Sequence, residues 1–216
     1  MNLSYPIYDL IEEKIKKLKT PSVVGIDGSY ASGKTNFTVQ LATHLRKNGY
    51  DIQVIHYDDF HKPLPSITWS QEKNSEVDAF YHAFNSQKIL DELLIPLKQE
   101  GVLNKTIKGL DWVSATYAND RMITIGERTI VLLEGSLLFR EKLLSFIDYK
   151  IFLEVSMEEV MRRGRERDVP KFGEWIMDKY RTRYIPVYQR HLNQNHVREI
   201  ADLVIDNNDY NHPSIK

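Results

Sequence analysis

Apolar residues along this chain gather into five short, nearly continuous runs: 22–27 (SVVGID), 52–57 (IQVIHY), 129–135 (TIVLLEG), 150–155 (KIFLEV) and 201–206 (ADLVID). A strand with one wet face alternates apolar and polar positions, so runs without alternation predict strands covered on both faces, as in a parallel sheet. Helical spacing fills the gaps between them, at about 33–47, 85–100, 137–147, 156–167 and 173–194. This alternation predicts an α/β fold: a doubly wound, mostly parallel five-stranded sheet with helices on both faces. The segment 103–127, where KTIKGL and MITIGE flank DWVSATYAND, predicts a small hairpin-like insertion of the kind that often carries specificity. Residues 5–19, with Leu10, Ile11, Ile15 and Leu18 on one face, read as an amphipathic helix that covers its own domain or, in a homo-oligomer, a second copy. A polar loop with Pro63 and Pro65 occupies about 62–76.

A length of 216 residues suits one domain, 1–216. Basic and acidic residues nearly balance at 29 and 30, so no overall field points to nucleic acid or a membrane surface. The absence of cysteine excludes disulfides and thiolate chemistry and fits a reducing compartment. The opening stretch has no apolar core of signal-peptide length, and no segment approaches the roughly 20 apolar residues of a membrane span. The expected location is the cytoplasm. Trp69, Trp112, Trp175, Tyr180, Tyr184 and Tyr188 read as packing residues rather than base-stacking platforms.

Chemistry enters at GIDGSYASGKT, 25–35, where Gly28, Gly33, Lys34 and Thr35 fit G-x-x-x-x-G-K-[ST] between a strand and a helix. The loop must curl so that successive backbone N–H groups face one anion, and side chains at the glycine positions would obstruct the curl. Gly28, Ser29, Ala31, Ser32, Gly33, Lys34 and Thr35 are therefore the expected nucleotide-binding residues, with Lys34 on the outer phosphates and the Thr35 hydroxyl on Mg²⁺. The bland alternative, a glycine-rich turn capping an ordinary helix, has to meet a chance match on the order of one in a hundred for a chain this long.

Acids decide what such a cradle is for. Asp58 and Asp59 follow the second strand, at the sheet edge that carries ligands in open α/β folds. A carboxylate there can take the proton of an acceptor hydroxyl or hold Mg²⁺ through water; two aspartates after a strand can also merely start a turn. Glu134 ends the most apolar run and, being buried, needs a partner: Mg²⁺, or an arginine or lysine. Arg162, Arg163, Arg165 and Arg167 follow the fourth strand, and Arg163 and Arg167 at i, i+4 share a helix face from which two cations could clamp a moving phosphoryl group. The competing reading is a solvated face whose arginines pair with Glu159, Glu166 and Asp168. Gly164 and Gly173 would suit a moving lid over about 156–173. His56 and His61 bracket the acids without companions for a zinc site.

From Ser22 to Asp206 the chain resembles the uridine kinase-like branch of the P-loop kinases, whose relatives include phosphoribulokinase and bacterial pantothenate kinase. GIDGSYASGKT resembles the family's Walker loop, YDDFHK its Asp-Ser-Phe-Tyr segment, LLEGSLLF its Glu-Gly strand end, FLEVSMEEVMRRGRERD its strand-plus-arginine lid and ADLVIDN its closing strand. The resemblance implies an ATP-dependent kinase with Mg²⁺ that phosphorylates a hydroxyl of a nucleoside or another small metabolite. It places Asp58 as catalytic base, Thr35 and Glu134 around Mg²⁺, and Arg163 and Arg167 as lid arginines. Two segments depart from the uridine kinase pattern. Phe84-Asn85-Ser86-Gln87 stands for Phe-Asp-His-Pro, and Leu110-Asp111-Trp112-Val113-Ser114-Ala115-Thr116-Tyr117 for Tyr-Asp-Phe-Val-Thr-His-Ser-Arg. With Asn85, Leu110, Ala115 and Tyr117 in place of polar readout groups, uridine selectivity does not transfer. The alternative function is a regulatory or assembly NTPase with no small-molecule acceptor; its GTPase version lacks an Asn/Thr-Lys-x-Asp guanine-reading segment.

Overall fold

The computed structural model of the chain describes residues 6–63 and 75–216, so Pro65 and Trp69 of the polar loop fall outside the described residues. Among the described residues eight strands form: β1 (Ser22–Gly28), β2 (Ile52–His56), β3 (Leu103–Asp111), β4 (Thr116–Ile125), β5 (Ile130–Gly135), β6 (Tyr149–Glu154), β7 (Leu203–Asp206) and β8 (Ser214–Ile215). The main sheet runs β2-β5-β1-β6-β7-β8. Its first five members are parallel, as expected, and β8 adds a two-residue antiparallel edge that no apolar run announces. Every residue of β1 and β5 is buried, which explains their unbroken apolar character.

Helices cover both faces. On one side the helix Lys34–Lys47 lays Phe37, Leu41 and Leu45 on the sheet, and the N-terminal helix Pro6–Ile15 packs Ile7, Tyr8, Ile11 and Ile15 into the same core. The amphipathic N-terminal face thus covers its own domain. On the other side Leu137, Leu138, Phe139, Val187 and Tyr188 belong to a second core. Helical stretches 86–100 and 176–195 each widen into a π-turn, Leu90–Leu94 and Tyr180–Tyr184, immediately before Ile95-Pro96 and Ile185-Pro186. Proline offers no N–H and its ring crowds the carbonyl four residues back, so the helix passes it by loosening one turn.

The helix expected over 137–147 is largely absent: only Glu141–Leu144 is helical. Leu137 adopts φ 60, and the amides of Leu138 and Phe139 donate to the Asp27 carboxylate at 3.0 and 2.9 Å instead of entering a helix ladder. Asp27, fully buried at the end of β1, also accepts from Tyr188 Oη at 3.3 Å and from His191 Nε2 at 2.7 Å. A carboxylate can only accept, so His191 donates from Nε2, and its Nδ1 accepts from Asn195 Nδ2 at 3.1 Å.

The insertion forms the antiparallel hairpin β3/β4, with Asp111↔Thr116 as its last pair before the tip. Among the described residues, no helix is long and apolar enough to cross a membrane. Asp27→Ala would leave four donors without their acceptor and should cost about 3–5 kcal/mol of stability, read as a lowered midpoint of urea unfolding; an unchanged midpoint would remove the carboxylate from its structural role.

Candidate active site

The phosphate loop starts where β1 stops. A Cβ at Gly28 would lie 2.7 Å from Ser32 Oγ and 3.1 Å from both the Leu153 carbonyl and Lys34 Cγ, so no side chain fits there. Gly33, at φ 87, turns the chain into the helix Lys34–Lys47, whose first turn has no side-chain cap. Uncapped first-turn amides and the positive helix end together favour an anion. The Ser29 and Ser32 hydroxyls are buried without a partner, and Lys34 Nζ donates to the Ser29 carbonyl and to Ser136 Oγ, each at 2.9 Å. Desolvation lowers the Lys34 pKa, with Glu134 and Asp58 opposing the shift. The curl, the orphaned hydroxyls and the lysine fit a polyphosphate.

Ser32 is held from behind. Its carbonyl accepts from Asn207 Nδ2 at 2.6 Å and from Arg163 Nη1 at 3.1 Å. The Ser32 carbonyl is thus engaged by the protein itself.

After β2 the short 3₁₀ turn Tyr57–Phe60 sends two adjacent aspartates in opposite directions. Asp59 is buried, accepts both of its ion-pair hydrogen bonds from Arg121 Nε at 3.0 and 2.9 Å, and so pins the insertion hairpin to the domain. Asp58 is open to solvent. Crowding by protein raises its pKa, Lys34 pulls it down and Glu134 pushes it up.

Glu134 is 5% exposed. Its Oε1 accepts from Thr35 Oγ1 at 3.1 Å and from His56 Nδ1 at 2.6 Å. Burial would raise its pKa, but the His56 hydrogen bond and the Lys34 charge hold it below the ordinary glutamate value; His56 in turn is raised. The partner of Glu134 is thus a histidine, which neither expectation named. Thr35 and Glu134 offer adjacent hard oxygen atoms, the donor type Mg²⁺ takes.

The expected pair of clamping arginines separates. Arg163 is 8% exposed and fully committed: to Glu159 at 2.6 Å, to Ser32, and to the carbonyls of Asn207 and Asn208 at 2.7 Å each. It is a brace behind the phosphate loop and not a free cation above it. Arg167 stays half exposed, oriented by Asp168 at 2.8 and 2.9 Å and by Tyr180 Oη at 3.1 Å, and its charge contributes to lowering the Lys34 pKa. Arg162 pairs with Glu159 and Glu166, and Arg165 with Glu174, which is the solvated-face arrangement. A Cβ at Gly164 would meet the Tyr180 ring at 2.5 Å, which gives the glycine a packing reason; its helix runs from Met157 to Phe172, and Gly173, at φ 88, ends it.

Sequence reasoning missed Ser136, Asn207 and the role of His56. Hydroxyl, amide and imidazole groups after strands carry no motif, and only the pairing of β2 with β5, His56↔Glu134, brings the histidine to the acid. A cavity of about 480 Å³ beside the Asp58 turn is lined by Lys62, Phe84, Asn85, Ser86 and Arg140 among others. A second, of about 470 Å³, lies at the opposite edge of the sheet against Pro21, Val23 and Phe146, away from this chemistry.

A family model for the phosphoribulokinase / uridine kinase family matches residues 23–211. The uridine kinase of Bacillus mycoides (strain KBAB4) is 26% identical over 199 residues, spanning 90% of this chain and 90% of that protein. Among solved structures, a possible uridine kinase from Bacillus stearothermophilus superposes with a TM-score of 0.70 at 22% identity, over 91% of this chain and 96% of that one. D-glycerate 3-kinase from Cryptococcus neoformans var. grubii does so with a TM-score of 0.55 at 16% identity, over 85% and 84%. The structural likenesses speak to the fold, whereas the family match runs from the first sheet strand past the last parallel one. The chain therefore belongs to the phosphoribulokinase / uridine kinase family, phosphotransferases that act on an alcohol group of the acceptor.

Proposed function

We propose that this protein transfers the γ-phosphoryl group of ATP to a hydroxyl of a nucleoside or other small metabolite. The observation that carries the reading is the convergence of Lys34, Thr35, Asp58 and Glu134 at the end of the parallel strands, beside a loop fitted to a polyphosphate. The loop amides and Lys34 hold the β- and γ-phosphates. Thr35 and Glu134 would hold Mg²⁺, which supplies positive charge to the phosphate oxygens. Asp58 orients the acceptor hydroxyl and takes its proton; a bond forms between that oxygen and the γ-phosphorus, the bond to the β,γ-bridging oxygen breaks, and ADP leaves. Arg167, with Nη1 unpaired among the described residues, is the cation placed to offset charge on the transferring group. Arg163 acts through the loop it braces.

The direct test incubates the protein with γ-labelled ATP and a panel of nucleosides, sugars and hydroxy acids: label on an organic acceptor supports the reading, and label only in free phosphate replaces it with an NTPase. Lys34→Ala should abolish transfer and weaken ATP binding. Asp58→Asn should lower kcat by roughly 10²–10⁴-fold with ATP binding intact, and an undiminished kcat would remove Asp58 as the base.

The two arginines separate in a second pair of variants. Arg163→Ala should cost about 2–4 kcal/mol of stability, because it leaves the Asn207 and Asn208 carbonyls without their donor and takes one partner each from the Ser32 carbonyl and from Glu159. Arg167→Ala should lower kcat by roughly 10²-fold with little change in melting temperature. Equal effects of both on kcat and none on stability would restore the two-arginine clamp.

A further inference from the structure

We infer that the acceptor of this kinase carries an anionic group, a carboxylate or a phosphate ester, and that the group docks against Arg140 in the cleft beside the Asp58 turn. The inference rests on the kinase reading above and narrows its substrate class.

Three cations line that cleft: Lys62, Arg140 and Lys142. None of them forms an ion pair among the described residues; the only acid in the lining, Glu141, pairs with none of them. For Arg140 this is exceptional. The other arginines that are at least partly buried each meet an acid: Arg163 meets Glu159, Arg183 meets Glu76, and Arg190 meets Asp78. Arg140 has instead the Tyr81 carbonyl on Nη2 and the Tyr81 ring 4.2 Å beneath its guanidinium, while its buried Nε has no partner. A guanidinium stacked on an aromatic face with an unused N–H edge is oriented for a planar or tetrahedral oxyanion. Nη1 also has no partner among the described residues, and it is the donor an anion in the cleft would meet.

The cleft reaches the catalytic edge. Lys62 closes the segment that begins with Asp58, and its amide donates to the Ala83 carbonyl at 2.6 Å. Tyr57 Oη meets Ser86 Oγ at 3.1 Å. Tyr30 of the phosphate loop has a buried, unpartnered hydroxyl; burial raises its pKa well above the ordinary value, Asp58 adds to the rise and Arg140 opposes it, so base and arginine flank one spot.

The acid of the uridine kinase pattern is missing from the same wall. Asn85 stands where the uridine kinase pattern has an acid, and its Oδ1 accepts from the Lys88 amide at 3.1 Å as a helix cap. A cleft with an amide where the pattern has an acid, and with three unpaired cations against one glutamate, selects charge.

The test compares matched acceptors, each sugar or polyol with its carboxylic acid and its phosphate ester, under γ-labelled ATP. The anionic member of a set should exceed its neutral counterpart by at least tenfold in kcat/KM, and the better of acid and ester names the group. Arg140→Gln should raise the acceptor KM by roughly 10–100-fold and leave the ATP KM unchanged, with Arg140→Lys recovering part of the loss. Lys62→Gln with Lys142→Gln gives the same readout without touching Tyr81, should Arg140→Gln fail to fold. Neutral and anionic acceptors used equally well, or an acceptor KM indifferent to these variants, would overturn the inference. Calorimetric titration of inorganic phosphate or sugar acids into protein saturated with a non-hydrolysable ATP analogue separates the two readings. Arg140-dependent binding without transfer to any compound would sink the kinase reading alone, while neither binding nor transfer would sink this inference as well.

Discussion

A carboxylate with no access to water is tolerable only if the protein replaces its hydration shell, and Asp27 is the place where this domain does so. Four donors converge on it, from the amides of Leu138 and Phe139, from Tyr188 and from His191. They come from the segment after β5 and from the long C-terminal helical stretch, and the acceptor is the last residue before Gly28. One buried group therefore fixes the phosphate loop relative to Ser136, which Lys34 contacts, and relative to Arg140, which follows Phe139. Satisfying all four donors in low dielectric makes the junction stiff; leaving any of them unmet would be expensive.

The opposite side of the loop is secured differently. Arg163 and Asn207 both donate to the Ser32 carbonyl, and Arg163 ties the same point to the chain after β7. The protein engages the loop's carbonyl and leaves helix-start amides and the Ser29 and Ser32 hydroxyls facing inward. A site built this way loses little conformational freedom on binding and needs no reorganisation as charge moves, which is how fixed dipoles contribute most to catalysis. Glu134 follows the same logic. Kept ionised by His56 and Thr35 despite its burial, it is already in the form a hard cation requires.

The five parallel strands, the insertion hairpin and the phosphate loop were legible because each follows from a local pattern: continuous apolar runs, flanking turns, and fixed glycine and lysine spacing. What was not legible depends on partners far away in the chain. The apolar stretch 137–139 has the composition of a helix start, yet Asp27 takes its amides. Arg163 and Arg167 look equivalent at i, i+4, but the first turns toward the 207–208 carbonyls and the second toward Asp168 and Tyr180. Adjacent Asp58 and Asp59 differ for the same kind of reason, since Arg121 arrives at one of them from 62 residues along the chain. Helical and turn geometry state which residues are neighbours in sequence; they do not state which neighbour a charge will choose.

In the acceptor site proposed above, specificity would follow from what the cleft walls leave unpaired. Leu110 is 2% exposed in the hairpin's apolar face and Tyr117 lies under the Lys88 ammonium at 4.7 Å, so positions where the uridine kinase pattern has polar readout serve packing here. Trp112, carried at the hairpin tip, packs its ring 4.9 Å from His61, whose pKa burial lowers to about 4 and whose Nδ1 donates to the Lys62 carbonyl. A neutral, buried imidazole of this kind fixes the backbone at Lys62 and adds no charge of its own. The cleft's charge therefore comes from cations that no acid of the described chain neutralises, the feature that the proposed anionic acceptor would complement.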